Sequence, residues 1–179
     1  MPLADQPLAT LLAQIAAATP APGGGSTAAV ACALAAALVE MSAGPPHERA
    51  ATLQARALEL AEEDLSSYAR VLDAERLPAE DPTRLERVRG ALSAASDTPL
   101  AIAAVGCEVA ELGAEVARGA RVHVEGDAAA AALLAEAATR AAARLVELNL
   151  AAMPDDVRLR TAGEYAARAW AARTEVARS

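Results

Sequence analysis

At 179 residues the chain can bury a sizeable core, but 54% of it is apolar and only 2% aromatic, with no Phe, so much of that core has to be alanine. The formal charge is −8 from 24 acidic and 16 basic residues, every basic one Arg, which argues against the basic patch of a nucleic-acid surface. Cys32 and Cys107 make no disulfide framework, and His47 and His123 have no second His or Cys at ligand spacing, so a reduced protein without a bound zinc ion is expected.

The pattern predicts an all-α chain, because no useful stretch alternates as a strand does. The first helix runs roughly from Leu8 to Ala17, with Leu8, Leu11, Leu12 and Ile15 on one side. The breakers Thr19-Pro20-Ala21-Pro22-Gly23-Gly24-Gly25 follow, and Ser26 stands in the N-cap position of a second helix, Ser26 to Ser42. The apolar run of this helix stops at Glu40, too short to span a bilayer, and reads as a helix buried on most sides. Gly44-Pro45-Pro46 separates it from a long third helix, Pro46 to Glu75. The fourth runs from about Pro82 to Arg118, bent at Pro99, with Gly119 just past its end. The fifth is Asp127 to about Ala152, and the sixth extends from Asp155 to near the C-terminus. Short connections between long helices imply antiparallel neighbours, hence one up-and-down bundle domain over residues 1–179. Alanine buries only a methyl group, so the helices must pack closely, and a second subunit is expected to complete the burial. The first residues carry Asp5 and no basic side chain, unlike a signal peptide, and a cytoplasmic location is expected.

Periodicity singles out Asp64. Leu53, Ala57, Leu60, Asp64, Tyr68 and Val71 fall in one sector roughly 80° wide at about 100° per residue, so a carboxylate sits within an apolar stripe. There it must be paired with an Arg, hydrogen-bonded or placed at a cleft, and perturbed carboxylates of this kind are candidates for proton transfer. The three bare glycines permit close approach of a ligand or another helix, and free N–H groups at a helix start can hold an anion or a polarised carbonyl; a plain flexible loop is the alternative. Asp127, after Gly126, is either an N-cap or a ligand contact. Asn149 shares a stripe with Ala138, Ala142 and Leu145, and is either a satisfied buried amide or a reader of a heterocycle's edge. Asp127 and Asn149 stand about 33 Å apart along one helix at roughly 1.5 Å per residue, so one site uses both only if it forms between subunits. Arg118 and Arg121 are candidate contacts for a carboxylate tail, or ordinary surface charges.

Four motifs together resemble the formiminotransferase-cyclodeaminase C-terminal domain and the bacterial methenyltetrahydrofolate cyclohydrolases. They are Pro22-Gly23-Gly24-Gly25-Ser26 with the alanine-rich helix through Met41, Asp64-Leu65-Ser66-Ser67-Tyr68 continuing to Arg76-Leu77-Pro78, Thr98-Pro99-Leu100, and Gly126-Asp127 with its alanines through Asn149-Leu150. The family usually shows Ser at the position of Gly126 and Asn at that of Leu145. The resemblance implies a helical homodimer that takes a tetrahydrofolate derivative as a small-molecule substrate, with no metal or redox cofactor and neither nucleic acid nor membrane as partner. It implies hydrolysis of 5,10-methenyltetrahydrofolate to 10-formyltetrahydrofolate. The alternatives are a formiminotetrahydrofolate cyclodeaminase releasing ammonia and an inactive folate-binding or structural dimer. Asp64 takes the catalytic role, and Gly23, Gly24, Gly25, Ser26, Asp127 and Asn149 the substrate contacts.

Overall fold

A computed structural model describes residues 1–17, 22–45, 47–119 and 124–176. Thr19, Pro20, Ala21, Pro46, Arg121 and His123, all named above, lie outside the described residues. A short 3-10 turn at Leu3–Asp5 precedes seven α-helices: α1 Leu8–Ala16, α2 Gly24–Ala43, α3 Glu48–Glu75, α4 Arg84–Ala95, α5 Asp97–Gly119, α6 Glu125–Asn149 and α7 Val157–Val176. No strand occurs among the described residues, as the sequence predicts.

The long helices form the expected up-and-down bundle. α6 runs antiparallel to α5, with Gly106 of α5 facing Ala135 and Thr139 of α6, and α7 packs against both, its Arg168 and Glu175 pairing with Glu111 and Arg118 of α5. α2 and α3 pack on the other side of α5, and α2 starts against the C-terminal part of α6, where Gly24 approaches Leu145. The core follows from composition. Its buried positions are dominated by alanine, with Leu60, Ile102, Val39, Val109 and Val146 among the larger side chains. Small residues let helix axes approach closely, and α5 does so at Gly106, where an added Cβ would lie 2.5 Å from Thr139 Oγ1 and 3.0 Å from Cys32 Sγ. Cys32 and Cys107 are free and buried, and burial pushes their thiols up to about 12 and about 11.

Three expectations are corrected. The predicted fourth helix is two, broken at Ser96 rather than bent at Pro99. Pro99 is the third residue of α5, where no intrahelical N–H bond is lost, so it starts a helix instead of kinking one. The N-cap of α2 is Gly23, not Ser26, and Gly24 and Gly25 are already helical. With 20 residues α2 is also long and apolar enough to cross a membrane by length and composition alone. As expected it is buried on most sides, packed against α3, α5 and α6, and it exposes a narrow stripe that includes Leu34 and Met41.

Candidate functional site

The starts of α2 and α5, the middle of α3 and the end of α6 meet at one end of the bundle. They enclose an open cleft of about 200 Å³, lined by Gly23, Gly24, Gly25, Asp64, Ser67, Tyr68, Ala95, Pro99, Leu145 and Asn149. The helical periodicity of α3 accounts for its share. Leu53, Ala57, Leu60 and Val71 of the stripe are buried in the core, and at Asp64 and Tyr68 the stripe emerges into the cleft.

Asp64 is the chemical centre. Its Oδ2 accepts from the Ser26 amide at 2.8 Å and from the Ser26 hydroxyl at 2.9 Å. The first N–H groups of a helix have no intrahelical acceptor, so a carboxylate from α3 caps α2 from outside. This contact depends on Gly25: a Cβ built there would lie 2.1 Å from Asp64 Oδ1. The bare glycine therefore admits a side chain of the protein itself. Burial raises the Asp64 carboxyl above its ordinary value, and the hydroxyl and amide of Ser26 pull the other way. No ion pair to Asp64 is found among the described residues, so the Arg-paired alternative does not hold there.

Other predicted residues are distributed unevenly. Gly23, Gly24 and Gly25 line the cleft, whereas Ser26 is 1% exposed and spends its hydroxyl on Asp64 and the Ala61 carbonyl at 3.1 Å. Asn149 lines the opposite wall, its Nδ2 donating to Ala95 O at 3.4 Å. Asp127 is the third residue of α6, behind an N-cap at Val124, and does not line the cleft of its own chain. Arg118, in the last turn of α5, pairs with Glu175 at the far end from Pro99. Among the described residues no three His, Cys, Asp or Glu side chains converge as a metal site.

The cleft also holds residues not assigned beforehand. Ser67, one turn after Asp64, shares a 3.0 Å hydrogen bond with Thr98, so two hydroxyls brace α3 against α5 beside the cleft. Its spacing of three from Asp64 was a readable signal. Ala95 carries no signal of its own, whereas Pro99 belongs to one of the motifs and Leu145 to the stripe of Asn149; the break at Ser96 brings Ala95 and Pro99 in.

Comparison with known proteins decides the relationship. The sequence model described as formiminotransferase-cyclodeaminase matches residues 7–44 and 46–167. The chain belongs to that family. A methenyltetrahydrofolate cyclohydrolase of Methylorubrum extorquens is 31% identical over 171 aligned residues, covering 84% of this chain and 82% of that one. The fold matches the crystal structure of a formiminotetrahydrofolate cyclodeaminase from Thermotoga maritima with a TM-score of 0.85, at 21% identity, over 98% of this chain and 96% of that one. For a formiminotransferase-cyclodeaminase family member, the cleft joins residues of all four motifs that suggested the family in one place: the glycine run, the Asp64 segment, Pro99 and Asn149.

Proposed function

We propose that the chain hydrolyses 5,10-methenyltetrahydrofolate to 10-formyltetrahydrofolate, with Asp64 as the catalytic group. The observation that carries this reading is a half-buried carboxylate, free of any ion pair among the described residues, held at the mouth of a cleft by the first turn of α2. The substrate carries a cationic amidinium-like carbon between two nitrogens. A carboxylate beside it stabilises that charge, and a raised pKa makes the same group a better proton acceptor. Water adds to the methenyl carbon while Asp64 accepts its proton. The bond from that carbon to one ring nitrogen then breaks, the nitrogen takes up a proton, and the carbon leaves as a formyl group on the other nitrogen. The sum is substrate cation plus water giving product plus one proton, and it needs no metal or redox cofactor.

In this assignment the amides of Gly24 and Gly25, in the first helical turn, hold a carbonyl of the pterin or its adjoining amide. Asn149 reads a ring edge, and Tyr68, 38% exposed, stacks on it. Asp127 is assigned a second polar contact, and the working unit is a homodimer in the cytoplasm. The relative named as a cyclohydrolase supports hydrolysis over ammonia release. One observation favours a binding-only protein: apolar Leu145 lies beside Gly24, where the family usually has Asn. The test is the decay of methenyltetrahydrofolate absorbance. Acceleration above the buffer rate by wild type is expected; no acceleration, with a reduced folate still raising the melting temperature, establishes the binding-only reading.

A further inference from the structure

Several helical hydroxyls of this chain are satisfied locally. Thr52, Ser96, Thr139 and Thr174 each donate to the carbonyl four residues earlier. Ser67, in the middle of α3, does not: among the described residues its hydroxyl has one partner, the Thr98 hydroxyl at 3.0 Å. Two hydroxyls bring two protons to that one bond, so one proton is left over. Thr98 is the more buried of the two, 7% exposed, and its hydroxyl has no second partner among the described residues. Ser67 is half-buried and lines the cleft. A buried hydroxyl whose proton finds no acceptor is the costlier arrangement, so Thr98 donates to Ser67 and the Ser67 proton is the one free for the cleft. One turn earlier, Asp64 divides its oxygens. Oδ2 takes both Ser26 donors, while Oδ1, seated over the bare Cα of Gly25 on the cleft wall, accepts no hydrogen bond among the described residues.

We infer that Ser67 anchors the attacking water: its hydroxyl donates to the water oxygen, that water donates to Asp64 Oδ1, and Thr98 fixes the direction in which the Ser67 hydroxyl points. This deepens the proposed hydrolysis and rests on it. Residues three apart on a helix have Cβ atoms about 5–6 Å apart, and one water bridging two groups at about 2.8 Å each spans up to about 5.6 Å. The free acceptor and the free donor on this turn of α3 are therefore one water apart. Ser67 then holds one lone pair of the water and Asp64 one proton, which leaves the second lone pair for the methenyl carbon. The new C–O bond forms from that pair as the proton passes to Asp64 Oδ1. Ser67 neither gains nor loses a proton, and it stays bonded to the same oxygen as that oxygen becomes the formyl carbonyl. Closure of a formimino group with loss of ammonia adds no water, so the anchor serves hydrolysis alone.

The test compares Ser67→Ala with Thr98→Val in the methenyltetrahydrofolate assay. Both variants break the brace between α3 and α5, so their melting temperatures are expected to fall alike, but only the first removes the water's donor. With the anchor in place, kcat is expected to fall about 50-fold for Ser67→Ala and about fivefold for Thr98→Val, with KM for the folate within about twofold of wild type in each. Equal losses in the two variants would reduce Ser67 to a brace and overturn the proposal, as would a Ser67→Ala kcat at the wild-type level or a loss confined to KM. Ser67→Thr and Ser67→Val, which match in shape and differ in the hydroxyl, repeat the comparison if Ser67→Ala does not fold: turnover is expected to survive in the first and fall in the second, and equal turnover in the two overturns the anchor. Failure of the underlying reading looks different, because wild type itself then shows no turnover, and that result removes hydrolysis and the anchor together.

Discussion

Gly25 and Gly106 are both glycines with no room for a Cβ, and the groups that fill the space differ in kind. At Gly106 the neighbours are Thr139, Cys32 and the Ala135 carbonyl, all in the interior and all otherwise satisfied or apolar. At Gly25 the neighbour is the carboxylate of Asp64, whose second oxygen is already bonded to Ser26 and which borders a cleft. The same missing methyl closes the core at one place and seats a titratable group at the other. The contrast teaches that a tight glycine contact says nothing of function until the pressing group is known.

Substitutions should separate the two regions. The largest effect belongs to Asp64→Asn: methenyltetrahydrofolate turnover is expected to fall about 10²- to 10⁴-fold, with circular dichroism and folate binding retained. Gly25→Ala displaces the same carboxylate, and kcat/KM is expected to fall about 10²-fold with a small change in melting temperature. Gly106→Ala should do the reverse. Overpacking at the seam is expected to cost about 1–3 kcal/mol in denaturant unfolding, with KM for the folate unchanged. Equal effects of the two glycine substitutions on turnover and on stability would erase the distinction.

The smallest effect is one of pH. Because burial raises the Asp64 pKa in the folded chain, the folded state binds the proton more tightly than the unfolded one. Its contribution to stability is full below the unfolded carboxylate pKa and is lost as pH rises through the folded value. The melting temperature of Asp64→Asn relative to wild type is therefore expected to climb across that window. Turnover by wild type should rise with pH through the same folded value, as the carboxylate becomes able to accept a proton. A difference in melting temperature that stays flat with pH would show that Asp64 is not perturbed. Asp156 titrates in the opposite sense, since the Arg158 guanidinium and amide hold it down at about 2, and taking the difference between the two proteins removes its contribution.

Much of the helical order was legible in residue periodicity and breakers. α3 illustrates why: its apolar residues recur at three and four, and an aspartate on that line has few places to go but a cleft. The Ser96 break and the true start of α2 were not legible. A proline in the first turn of a helix and a proline inside one look alike in sequence, and they differ only in whether the preceding residues are already helical. Ser26 was misread for a related reason. A serine before an apolar run is an N-cap signal, but here Asp64, thirty-eight residues later, supplies the cap and leaves the serine to hold the carboxylate. The exposed side of α2 was hidden because alanine-rich helices show little contrast between faces.

By itself, the amino-acid order determined a helical chain, a core starved of large side chains, and an acid placed on an apolar stripe, because these follow from local periodicity and composition. The tertiary structure decided that the acid meets the glycine turn, that Ser26 holds it and that Asp127 stays away from its own cleft. Those facts depend on which helix ends converge, and helix packing, not local sequence, sets that.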